Sequence, residues 1–189
     1  MNKLKFVILF IILGILASCA VNKQKYTILT PAEFEKEITK YKNTDNQWSI
    51  YKRYILVPEL EKINMDSPSS GKDGSLLAET FMLLRKNKLE ELKILIDNSD
   101  DTNELELCWG LYYFYIEDYS QALEYLNKSK STSSYKYLNL LLIADATLEM
   151  DNIAYNKGFR LYQKVLDATD NEAEKDVIRI RAKLLRYGG

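Results

Sequence analysis

The sequence predicts an all-α fold: a short row of stacked antiparallel helix hairpins that follows an N-terminal helical pair. Three observations point there. Seven glycines and three prolines in 189 residues leave little material for tight β-hairpins. Apolar residues recur every three or four positions in one segment after another, the period of a helix with one buried face. Capping boxes at Thr30–Glu33, Thr44–Gln47 and Asp101–Glu104 mark helix starts, because each pairs a short polar side chain with a Glu or Gln three residues on.

Residues 1–18 stand apart from that body. Lys3 and Lys5 form a basic head, and Phe6 to Leu16 is apolar apart from Gly14. The run is too short for a bilayer, which takes about 20 apolar residues, and it reads as a secretory signal peptide. It ends in Leu16-Ala17-Ser18-Cys19. That motif resembles the lipobox of bacterial lipoproteins at every position. The resemblance implies cleavage between Ser18 and Cys19 and acylation of Cys19. It also implies attachment to the cell envelope by that lipid, with Ala20, in place of aspartate, pointing to the outer membrane over the inner one. Two or three acyl chains on one residue hold a protein to a bilayer durably, where a single chain does not. Residues 19–29, with Asn22, Lys23, Gln24 and Lys25 near their start, read as a lipidated polar tether. Later apolar runs, Trp109 to Ile116 and Leu138 to Ala144, are too short to span a membrane.

Residues 30–64 read as the helical pair. Thr30 caps, Pro31 suits the first helical position, and Phe34, Ile38 and Tyr41 recur at helical spacing. Trp48, Tyr51, Ile55 and Leu56 predict a second helix, kinked or ended by Pro58. Residues 65–75, rich in Ser, Gly, Asp and Pro, read as a loop. From residue 76 to 189 the chain reads as helix pairs: 76–86 with 89–96, 104–116 with 120–130, 134–150 with 154–168, and a last helix over 172–187. The Lys86-Asn87-Lys88 connection is short enough to make its two helices antiparallel neighbours.

Within 104–134, Gly110 is followed by Tyr113, Tyr119, Ala122 and Leu126. This spacing of small and large residues resembles the tetratricopeptide repeat, a helix-turn-helix of about 34 residues. Glu106, Trp109 and Ser134 depart from the family pattern, which prefers tryptophan, leucine and proline there. The next unit, with Ala146, Gly158 and Tyr162, is looser, and the unit at 76–96 is shorter and weaker still. The resemblance implies a short α-solenoid whose concave face is a groove lined by Leu107, Leu111, Phe114 and Tyr115, with Leu140, Ile143 and Thr147 beside them. An aromatic groove with few charges suits a protein or peptide partner. The residues leave a second arrangement equally open, in which the N-terminal segment with Trp48 and Tyr51 fills that groove.

Composition narrows the chemistry. The chain has no histidine, which removes Ser-His-Asp and Cys-His nucleophiles and histidine metal sites. Lys and Arg number 26 against 27 Asp and Glu, and losing Lys3 and Lys5 makes the mature chain slightly more acidic, so nucleic acid is not an expected partner. With Cys19 committed to lipid, Cys108 has no disulfide partner, and its neighbours Leu107, Trp109 and Leu111 predict burial. The acidic run Asp97, Asp100, Asp101, Glu104 and Glu106 lacks the glycine and alternation of a calcium loop and reads as a solvated turn and helix cap. No metal, cofactor or catalytic residue is expected. The function expected is a membrane-anchored, non-catalytic protein–protein interaction module. The alternatives are a periplasmic ligand-binding or transporter-accessory lipoprotein, and an enzyme whose facing carboxylates lie in the N-terminal pair.

Overall fold

The computed structural model describes residues 26–41, 53–57, 75–101, 104–129, 135–150 and 155–187. The fold is mostly helical. Its described elements are strand β1 (Tyr26–Leu29), helix α1 (Pro31–Tyr41), strand β2 (Arg53–Leu56), and helices α2 (Leu76–Arg85), α3 (Leu89–Asp97), α4 (Leu105–Tyr115), α5 (Tyr119–Ser129), α6 (Lys136–Met150), α7 (Tyr155–Leu166) and α8 (Glu172–Tyr187). Each helix from α2 to α7 packs on a sequence neighbour, and α7 packs on α8. Further contacts join α2 to α4 and α4 to α6.

The N-terminal region departs from a helical pair. Its first helix is present, and its capping box closes in both directions. The Thr30 amide donates to Glu33 Oε2 at 2.8 Å, and the Glu33 amide donates to Thr30 Oγ1 at 3.2 Å. The expected second helix is not helical where it is described. Arg53–Leu56 is a strand, parallel to Tyr26–Leu29 with Tyr26 opposite Arg53 and Leu29 opposite Leu56. The tether expected over 19–29 is likewise shorter, because Tyr26 and Ile28 are core residues. Tyr54, Ile55, Leu56 and Val57 are all buried, and a strand covered on both faces shows no helix-like polar side. The Thr44–Gln47 capping box, Trp48, Tyr51, Pro58 and the loop over 65–74 lie outside the described residues, as does everything before Tyr26.

The β-α-β unit docks on the helices through both strands. β1 touches α2, while β2 and α1 touch α8. The last helix therefore packs back against the first elements of the chain.

The hairpins α2–α3 and α4–α5 share one turn. Asn87 and Glu117, 30 residues apart, have φ of 54° and 64°, the left-handed region. The hydrogen bonds around them match. The amides of Lys86, Asn87 and Lys88 donate to Met82, Leu84 and Leu83, and those of Ile116, Glu117 and Asp118 donate to Tyr112, Phe114 and Tyr113. Burial follows the same offset. Leu77, Phe81 and Leu84 are buried in α2, and Leu107, Leu111 and Phe114 in α4. The two hairpins interlock through Glu104, expected to close its own capping box. Its amide does take the Asp101 carboxylate, at 3.2 Å, but its own carboxylate accepts from Ser75 Oγ at 2.7 Å and the Leu77 amide at 2.8 Å. It thus caps the start of α2 with a charge suited to a helix N-terminus.

Candidate functional site

One face of α4 and of α6 is the surface on which a partner groove was expected. Leu107, Leu111 and Phe114 are fully buried there, so they belong to the core. The cover is part of this chain. The Tyr26 ring of β1 lies 4.5 Å from the Phe114 ring, centroid to centroid. The segment expected to fill the face was that of Trp48 and Tyr51, whereas the residue seen there comes from the expected tether. Tyr115, Leu140 and Ile143 are half-buried and pack against the same core. Tyr115 donates its phenol to the Leu84 carbonyl at 3.1 Å, and burial pushes that phenol up to about 12. Thr147 donates to the Ile143 carbonyl of its own helix at 2.7 Å. Cys19 and Ser18 lie outside the described residues.

Gly110 was expected to let its helix touch the next at Ala122, and its close contact is a different one. A Cβ there would meet Leu126 Cδ2 at 2.6 Å and Cγ at 2.8 Å, so the close approach of α4 to α5 is at Leu126. Gly158 does the same for α7, where a Cβ would come within 2.9 Å of Leu148 and of Leu185. Cys108 is fully buried, and desolvation, with Glu104 and Asp101 adding to it against an opposing Thr80 hydroxyl, pushes its thiol up to about 12.

Behind Tyr26 lies a polar cluster that the sequence reading missed. Asp145 of α6 and Arg181 of α8 are 0% and 1% exposed, and Arg181 Nε sits 2.9 Å from Asp145 Oδ2, although its N–H is not aligned as a hydrogen bond. Asp145 Oδ1 accepts from the Tyr162 phenol of α7 at 2.7 Å. The guanidinium carbon lies 5.9 Å above the Tyr26 ring, a cation–π distance. One buried charge pair thus links α6, α7, α8 and β1. Its available signal was Asp145 itself, a single acid inside an apolar run.

On the outer side, Trp109, Tyr112, Tyr113 and Tyr125 form a half-buried cluster of four rings. Trp109 stacks on Tyr113 at 5.7 Å, Tyr113 stacks on Tyr125 at 5.4 Å, and Tyr112 meets both Trp109 and Tyr113 edge-on. Lys128 places its ammonium 4.9 Å from the Tyr125 centroid and pairs with Glu124 at 2.8 Å. Such rings present large area at low entropic cost to a partner.

Of the acidic run that starts at Asp97, Asp101 accepts from the Glu104 amide before α4, and Glu104 caps α2. Among the described residues, no three His, Cys, Asp or Glu side chains converge as metal ligands, and no helix is long and apolar enough to cross a membrane. Comparison with protein-family models, with curated proteins and with solved structures finds no match to this chain.

Proposed function

We propose that this protein is a lipoprotein of the bacterial cell envelope. On this reading, lipid on Cys19 holds a tetratricopeptide-like stack of hairpins beside the membrane, where it binds other proteins without catalysing a reaction. The observation that carries the reading is the run from Lys3 to Cys19, a basic head and apolar core ending in Leu-Ala-Ser-Cys. Support for a repeat body comes from the shared turn at Asn87 and Glu117 and from the glycine contact at Gly110. The repeat distance of 30 residues is shorter than the family's usual 34. With Leu107, Leu111 and Phe114 buried, the surface offered to a partner is the outer ring cluster of Trp109, Tyr112, Tyr113 and Tyr125. An outer-membrane address follows the lipobox resemblance and Ala20.

Metabolic labelling with palmitate tests the anchor. The native chain incorporates label and fractionates with envelopes, while Cys19→Ser does neither. Equal labelling of both chains refutes the proposal. For the partner surface, crosslinking in intact envelopes compares the native chain with Trp109→Ser/Tyr125→Ser. Adducts lost in a variant that stays folded support the surface, and unchanged adducts exclude it.

A further inference from the structure

The described helices differ in charge, and α7 is the exception. It carries Lys157, Arg160 and Lys164 and no acidic residue, whereas every other described helix has at least one. Spacings of three and four place the three cations within about 60° of one another around the helix. All three are exposed, and Gly158, Tyr162 and Val165 on the opposite side are buried. None of the three pairs with an acid among the described residues, unlike Arg179 and Lys175 of α8, which are held by Glu172. The neighbouring acid, Asp167, follows the helix and takes a hydrogen bond from Gln163 at 3.0 Å. Over the hairpins α2–α5 the balance reverses, with 11 acidic against 5 basic residues between positions 76 and 129.

The tether places this asymmetry next to a bilayer. Six residues separate Cys19 from Tyr26, so β1 begins within about 25 Å of an acylated Cys19. Tyr26 joins α7 through a short chain of contacts: its ring to Arg181 at 5.9 Å, Arg181 to Asp145 at 2.9 Å, and Asp145 to Tyr162 at 2.7 Å. The outer face of α7 lies about one helix diameter, 10–12 Å, beyond Tyr162. It is thus within the leash.

We infer that the exposed face of α7, formed by Lys157, Arg160 and Lys164, is the surface the anchored protein lays against anionic phospholipid headgroups, leaving the acidic hairpins α2–α5 and their ring cluster turned away from the bilayer. The inference rests on the lipid anchor proposed above. Each cation near an anionic bilayer biases the population roughly fivefold, and three together on the order of a hundredfold.

The test uses the acylated full chain in vesicles, with a fluorophore on Gln163→Cys of α7 or on Lys93→Cys of α3, and a quencher on the lipid headgroups. Cys108 does not interfere, being buried. Vesicles contain phosphatidylcholine with or without phosphatidylglycerol, and flotation is measured on each sample. The expected result is flotation in both, with quenching at position 163 well above that at 93 only when phosphatidylglycerol is present. Lys157→Glu/Arg160→Glu/Lys164→Glu removes the difference without changing flotation. Floating protein with equal quenching at the two sites overturns the orientation and leaves the anchor standing. A difference that persists on phosphatidylcholine alone, or in the triple variant, also overturns it. Failure to float overturns the anchor, and the orientation with it.

Discussion

The hairpins α2–α3 and α4–α5 have the same backbone turn and the same buried positions, yet they share few residues. Thr80 stands where Gly110 does, Leu92 where Ala122 does, and Asn87 where Glu117 does. What persists is a burial pattern and a left-handed turn residue, 30 positions apart. What differs is how each hairpin meets the rest of the chain. The second carries Phe114, on which β1 sets Tyr26, and it carries the outer ring cluster. The same scaffold is therefore a plain structural unit in one place and the junction between inner core and outer aromatic surface in the other.

This contrast yields predictions of decreasing size. The thiol of Cys108, at the position matched by Ala78, has an ordinary value of 9.0 and is pushed up to about 12. Its alkylation at neutral pH is expected to be about a thousandfold slower than in denatured protein. Because the folded state favours the neutral thiol, this contribution to stability is complete below pH 9.0 and is lost as pH rises towards 12. Alkaline titration of the native chain and of Cys108→Ala reads the difference.

Packing comes next. Phe114→Ala removes the ring that Tyr26 covers and is expected to cost about 3–5 kcal/mol in denaturant unfolding. Gly110→Thr copies the other hairpin's residue into a site where Leu126 is 2.6 Å from a new Cβ. A loss of about 1–3 kcal/mol is expected, and no loss would show that α4 and α5 separate freely. The smallest effect has the opposite sign. Glu117 holds a φ of 64°, which costs a residue of its kind more than it costs asparagine. Glu117→Asn, copying Asn87, is expected to stabilise by about 0.5–1 kcal/mol, seen as a rise in Tm.

The same comparison explains what was legible in the sequence. Helix starts were readable because caps are local. Thr30 with Glu33, and Asn171 at the start of α8, use side chains within a few residues of the amides they accept from. Both hairpins were readable from their helical period and short connections, and in the second Gly110 also marked the close packing, although the contact falls on Leu126 and not on Ala122. The strands were not. Tyr26–Leu29 and Arg53–Leu56 are four residues each, too short for period two to stand out, and Ile55 with Leu56 also fits a helical stripe. Their pairing joins segments 27 residues apart, so tertiary contact decides it. Asp145 and Arg181 were hidden for the same reason: the partners are 36 positions apart, and the sequence shows only Asp145 as a lone acid among apolar residues, with nothing to point to Arg181. The expected groove residues illustrate the limit. Leu107, Leu111 and Phe114 recur at helical spacing and are buried, but nothing local says that Tyr26 lies against Phe114.

That cover is the central structural claim, since it moves any partner from the inner face to the outer one. Hydrogen exchange on the purified protein tests it most directly. If β1 is core, the amides of Tyr26–Leu29 that are held in the sheet exchange only as slowly as those of α4, through global unfolding. Rapid exchange of β1 beside a protected α4 would mean that the inner face opens on its own, and would return Leu107, Leu111 and Phe114 to the surface available to a partner.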